Sequence, residues 1–163
     1  MSQLRLINQT EITSSVASVS VTDIFTSDYD IYKISADITS SGGDSDGSLQ
    51  FLNPSGSAIT SSNYAWAMLI MKSNTSFVDY KNTGTTQLDA LFHGTPQGSG
   101  NIVYIFNPYS SSRFTFAIAK TIGQSSSNLR AYGGTGVLKL TDSISGFKLS
   151  FDVNATSGKI KTY

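Results

Sequence analysis

Between Asn101 and Ile122 the chain reads NIVYIFNPYSSSRFTFAIAKTI, and an alternation this regular leaves few folds open. Ile102, Tyr104 and Phe106 alternate with Val103, Ile105 and Asn107. The run from Asn107 through Pro108 and Tyr109 to Ser112 breaks the period, after which Phe114, Phe116 and Ile118 alternate with Thr115, Ala117 and Ala119. A period of two on both sides of a Pro- and Ser-rich break predicts a β-hairpin. Its first limb is apolar on both faces, as in a strand at the middle of a sandwich, and its second on one face only.

The same period recurs along the chain. Leu4 to Ile7 reads as a short strand or arm, and Ile12, Val16, Val19 and Val21 as an irregular edge strand with a bulge. Tyr32, Ile34, Ala36 and Ile38 share one strand face. Ser40 to Gly47 is loop by local rules, and Ser48 to Leu52 a strand. Tyr64 to Lys72, YAWAMLIMK, holds helix formers, yet Tyr64, Trp66, Met68 and Ile70 alternate with smaller residues, which predicts a buried strand. Ser73 to Thr86 reads as loop and Gln87 to Phe92 as a strand. Gly123 to Asn128 is a polar tip, and Leu129 to Thr141 a strand interrupted by glycines. Phe147, Leu149, Phe151 and Val153 predict a strand that turns at Asn154-Ala155-Thr156 and pairs with Ser157 to Tyr163. This amounts to an all-β chain of about nine or ten strands. Connections of very unequal length point to a two-sheet, jelly-roll-like β-sandwich over 16–163, with 1–15 as an N-terminal arm or edge strand.

Composition narrows the function classes. Charged residues make up 13 % of the 163, against about a quarter in ordinary domains, while Ser and Thr fill about 45 positions and Glu11 is the only glutamate. Eleven basic and eleven acidic side chains cancel, which leaves no footprint for nucleic acid or an anionic membrane. No cysteine is present, so disulfides and thiolate chemistry are excluded. The longest apolar run, Ala65 to Met71, is far short of a membrane helix, and the first fifteen residues lack the apolar stretch of a secretory signal. The expectation is a soluble chain made in the cytoplasm.

Motifs for chemistry are sparse. Asp44-Ser45-Asp46-Gly47-Ser48 imitates the opening of a calcium loop, but Ser55 stands where a closing glutamate is needed, so Asp44 and Asp46 are only a weak metal candidate. His93 is the single histidine. No G-x-S-x-G accompanies it, and a turn histidine at a strand end accounts for it. Ten aspartates offer carboxylate pairs for a hydrolase on paper, and Asp at turns needs no substrate to explain it. Most aromatic residues fall on alternating strand positions, which predicts core packing. Tyr64 with Trp66 is the pair to consider for sugar stacking, and Tyr80, Tyr109 and Tyr132, at loops or beside glycines, are freer to meet a partner. No cofactor is implied.

The order of five phrases carries a resemblance: VASVSVTDIF, DYDIYKISADI, YIFNPYSSSRFTF, SISGFKLSF and SGKIKTY. Together they resemble a family of small phage virion proteins abundant in marine cyanophages and their relatives. The shared features are the Asp- and Tyr-rich strand Asp28 to Ile34, the turn at Phe106, Asn107 and Pro108, and a closing Gly-x-Ile-x-x-Tyr strand from Gly158 to Tyr163. The resemblance covers nearly the whole chain. It implies a non-enzymatic structural protein of the virion surface with a jelly-roll-like domain, often trimeric, that contacts other capsid or tail subunits. Fibre proteins of this kind are often longer, which favours a capsid decoration or cement subunit, with Met1 to Ser15 as the arm that reaches a neighbour. The alternative is a fibre or glycan-binding receptor module. An Asp-dependent hydrolase is a distant third.

Overall fold

The computed structural model describes residues 4–74, 77–124 and 128–163. The serines at the centre of the predicted polar tip, the first three residues of the predicted arm and two residues of the predicted 73–86 loop therefore lie outside the described residues. Eleven strands form in chain order: β1 Asn8–Ile12, β2 Val16–Val21, β3 Ile31–Ser40, β4 Ser45–Leu52, β5 Tyr64–Lys72, β6 Val78–Thr85, β7 Leu88–Gly94, β8 Ser99–Phe106, β9 Thr115–Gln124, β10 Leu129–Leu138 and β11 Gly146–Thr162. Among the described residues there is no helix. The all-β expectation holds, and YAWAMLIMK is the strand β5. The strand that sequence reading passed over is β6, inside the stretch taken as loop. Its residues are almost all exposed, so no apolar period marked it.

Hydrogen bonds join the strands into one nearly closed sheet in the order β6-β5-β10-β9-β8-β3-β11-β4-β7, with β1 and β2 both added along the other side of β11. All of these pairings are antiparallel. The last strand, β7, folds back across the inner face and packs on β9, β10, β8, β3 and β5. Its residues are buried apart from Asp89, which is half-buried. Asn101 of β8 fixes that crossing. Its side-chain oxygen accepts the His93 N–H at 2.7 Å, and its amide donates to the carbonyls of His93 at 3.0 Å and Ala36 at 3.2 Å.

β11 organises the sheet. Residues 146–151 pair with β4 on one side and, over 147–150, with β2 on the other; residues 155–162 pair with β3, and 158–162 with β1. The predicted hairpin with a turn at Asn154-Ala155-Thr156 is therefore one continuous strand of 17 residues. Between Ala155 and Ser157 the register with β3 slips by one residue. An extra residue in a period-two strand exchanges its faces. Before the slip Phe147, Leu149 and Phe151 point inward, and after it Ile160 and Thr162 do.

The core follows from these faces. Tyr32, Ile34, Ala36 and Ile38 of β3 are buried as their alternation predicts, and Phe25 sets its ring edge-on to Tyr32 at 4.8 Å. The predicted loop of residues 40–47 is shorter than expected, because Ser45, Asp46 and Gly47 already belong to β4. In the opening hairpin β8 and β9 pair from Ser99↔Gly123 to Phe106↔Phe116. Here the expectation of core packing for the aromatic face fails. Ala117 and Ala119 point inward, while Phe116 and Ile118 face out, 46 % and 43 % exposed. The reason is β7, which crosses beneath β9 and leaves room there for alanine only.

Candidate functional site at the seam of the sheet

Where the β5–β6 end of the sheet comes against the β4–β7 end, a hollow of about 190 Å³ opens. Strand pairing builds its walls. Asp46 and Ser48 come from β4, Asp152 from β11, Trp66 and Ile70 from β5, and Tyr80 from β6. Asp89 and Ala90 complete it from a bulge in β7: pairing with β4 steps from Gly47↔Phe92 to Leu49↔Leu88, so three residues of β7 stand opposite Ser48. Ala90 holds φ at 57° there, in the left-handed region that costs a residue with a β-carbon about 1 kcal/mol.

The pocket is acidic, and no basic side chain lines it. Burial pushes the Asp89 carboxyl above its ordinary value, and the negative charges of Asp152 and Asp46 add to the rise, against a 2.6 Å hydrogen bond from Gln87 Nε2. Asp46 goes the other way. Burial opposes its charge, but the hydrogen bond and charge of His93, helped by Tyr132 and Arg130, outweigh that and hold the carboxyl below its usual range.

Behind Asp46 lies a polar cluster that runs from the buried His93 and Tyr132 to the partly exposed pair of Arg130 and Asp44. His93 Nδ1 is 3.2 Å from Asp46 Oδ1, the His93 ring packs on Tyr132 with centroids 4.7 Å apart, and Arg130 pairs with Asp44 at 2.7 Å. His93 is at the strand end as expected, but it is a core residue with no exposed surface rather than a turn residue. Its Nε2 is buried with no hydrogen-bond partner among the described residues. A general base must reach the proton it takes, and of this pair only Asp46 borders the pocket.

The candidate binding residues divide cleanly. Trp66 and Tyr80 converge on the seam pocket. Tyr64 does not join them: it is fully buried, stacked on Phe51 at 6.3 Å, its hydroxyl donating to the Ile59 carbonyl and accepting the Phe51 N–H. Burial pushes its hydroxyl pKa up to about 12. Tyr132 is also buried, contrary to the expectation of a free side chain beside glycines. Burial and the Asp46 charge raise its pKa. Of the glycines that follow Tyr132, Gly133 has open space beside it, whereas Gly134 and Gly136 mark close approaches: a β-carbon at Gly136 would stand 2.7 Å from Leu88 Cδ2. Tyr109 is exposed in the β8–β9 loop and takes no part in the pocket. Asp44 and Asp46 are engaged by Arg130 and His93, and among the described residues no group of three ligating side chains could hold a metal ion. Sequence reading missed Ser48, Asp89 and Asp152, because each sits on the polar side of an ordinary strand pattern. Only strand register brings them together.

A second surface lies outside the sheet. The outward face of β5, β10, β9, β8 and β3 exposes Leu69, Met71, Ile122, Ile118, Phe116, Tyr104, Ile102 and Ile31, each at least 38 % accessible. Registers place them in contiguous rows, such as Tyr104 beside Ile118 and Phe106 beside Phe116. Two open hollows of about 830 and 730 Å³ lie along this face. Lys120 stands in its middle, across from Ile102 on one side and Gly133 on the other. No known protein family, curated protein or solved structure matches the chain.

Proposed function

We propose that this protein is a non-enzymatic structural subunit of a phage particle, a capsid decoration or cement protein that binds its neighbours by burying the outer face of β5, β10, β9, β8 and β3. The exposed apolar face carries the reading: monomeric soluble proteins rarely leave a contiguous apolar patch of more than a few hundred Å² in water, and here large side chains of at least four adjacent strands face out. The order of phrases shared with small virion proteins supports the same assignment. In this reading the domain is a jelly-roll-like two-layer sandwich, made in the host cytoplasm and carried on the virion. It assembles as a homo-oligomer, a trimer by the resemblance, against capsid or tail subunits, with no cofactor, nucleic acid or membrane involved.

Size-exclusion chromatography with light scattering, paired with sedimentation of the protein with purified capsids, tests this. The expected result is an oligomer or stoichiometric uptake onto particles. A chain that stays monomeric and never joins particles overturns the proposal. The pairing of Trp66 with Tyr80 beside carboxylates favours a second reading, a glycan-binding module of a virion fibre. Screening the immobilised protein against a glycan array decides that one, and an array with no binding removes it.

A further inference from the structure

The seam pocket is acidic, while a lysine without an ion-pair partner among the described residues stands in the middle of the outer face. The pocket sets three carboxylates, Asp46, Asp89 and Asp152, against the rings of Trp66 and Tyr80, with no cation in its lining. Lys148 lies on the same side of β11 as Asp152 but four residues along it, and is not part of the lining. Carboxylates beside aromatic faces favour an ammonium group, which gains both from the charges and from the ring quadrupoles. At about 190 Å³ the hollow is smaller than the 300 Å³ or so at which drug-sized ligand pockets begin, a size that suits the end of one side chain. Burial raises the proton affinity of Asp89 first, and the nearby charges of Asp152 and Asp46 add to it.

The matching cation is on the same chain but on the wrong side of the sheet to reach. Lys120 is exposed on β9 among Ile102, Ile118 and Ile122, and forms no ion pair among the described residues. Lys81 is engaged with Asp79, Lys159 with Glu11 and Lys33 over the Tyr163 ring. Lys72, Lys148 and Lys161 also form no ion pair among the described residues, and what sets Lys120 apart is its place between Ile102 and Gly133 in the middle of the outer face. A charge at the centre of a buried contact is costly unless the facing surface supplies a complementary charge.

We infer that the seam pocket receives Lys120 of a second copy of this chain, whose outer apolar face covers the exposed Tyr80 at the pocket. The occupant follows from charge complementarity: a basic, apolar face on one side of the molecule and an acidic, aromatic hollow on another. Because the two patches differ, the contact is head-to-tail, and it closes into a ring or grows into a filament according to the rotation between copies. This rests on the subunit reading above and specifies how copies meet.

The experiment is sedimentation velocity over a concentration series, with emission of Trp66, the only tryptophan, as a reporter in the pocket. Lys120→Gln, and separately Asp89→Asn with Asp152→Asn, are expected to weaken self-association about tenfold or more and to abolish the concentration-dependent change in Trp66 emission. The exchange of Lys120→Asp with Asp152→Lys is expected to recover association. Lys120 is on the surface, so its variants test the contact even if the pocket variants fold poorly. An oligomer unaffected by any of these changes leaves the subunit reading standing and overturns the role of the pocket. A wild-type monomer that still joins capsids does the same, whereas a monomer that joins nothing removes both. A Trp66 emission change with glucose, at unaltered association, makes the pocket a carbohydrate site and overturns the inference.

Discussion

At Gly123 a β-carbon would stand 2.8 Å from both His93 Cδ2 and Thr95 Cγ2, closer than real side chains come. Gly123→Ala is therefore expected to destabilise the fold by about 1–3 kcal/mol through overpacking, read as a lower urea midpoint. Gly133→Ala, with nothing within 4 Å of the new carbon, should stay within about 0.5 kcal/mol of the parent. Two of the three pocket carboxylates give opposite pH signatures. The lowered Asp46 pKa means that folding holds its carboxylate: that stability is present above the ordinary value of 3.8 and lost as pH falls through the depressed pKa. The raised Asp89 pKa means the reverse, a stability present below 3.8 and lost as pH rises through the elevated pKa. Urea midpoints should show Asp89→Asn more stable than the parent at pH 7, with the advantage fading below pH 3.8. Asp46→Asn should be less stable at pH 7 and flatten the acid limb. An Asp89→Asn variant less stable at pH 7 than at pH 3 relative to the parent would contradict the electrostatic account.

Among the elements, β9 and β11 depart most from what alternation implies. In β9 the large residues face water and the alanines face β7, so stability should answer to the small side. Ala119→Leu, at a position 1 % exposed, is expected to cost about 1–3 kcal/mol by overpacking. Ile118→Thr on the outer face should change monomer stability by about 0.5 kcal/mol or less while weakening assembly. Guanidinium titrations and light scattering separate the two effects. In β11 the one-residue slip between Ala155 and Ser157 keeps both halves facing the core. Deleting Thr156 would exchange the faces of the second half and turn Ile160 and Thr162 outward. Loss of the β-sheet circular dichroism signal is the expected outcome, and a cooperative melt near that of the parent would show that the slip is dispensable.

For the molecule as a whole, β11 ties the strands of both parts of the sheet to one backbone, and β7 ties the end of the sheet to its middle. Unfolding should be a single transition with coincident fluorescence and far-UV signals. The all-β character was legible directly, because period-two patterns at Tyr32–Ile38, Tyr64–Ile70 and Phe147–Phe151 state which residues share a strand face whatever lies above them. The same patterns fix no strand's neighbour. They could not tell a hairpin at Asn154-Ala155-Thr156 from a slip in one long strand, since both interrupt the period alike. They also could not reveal that the aromatic side of β9 faces out, because that depends on a strand crossing from elsewhere in the chain. Trp66 and Tyr80 could be named from their residue types, but Asp46, Asp89 and Asp152 become partners only through the pairing of β4 with β7 and β11. Local periodicity is a property of covalent order and survives in the sequence. Juxtaposition across a nearly closed sheet is set by which long-range contacts bury the most apolar surface without leaving backbone groups unpaired, and that is decided only when the whole chain packs.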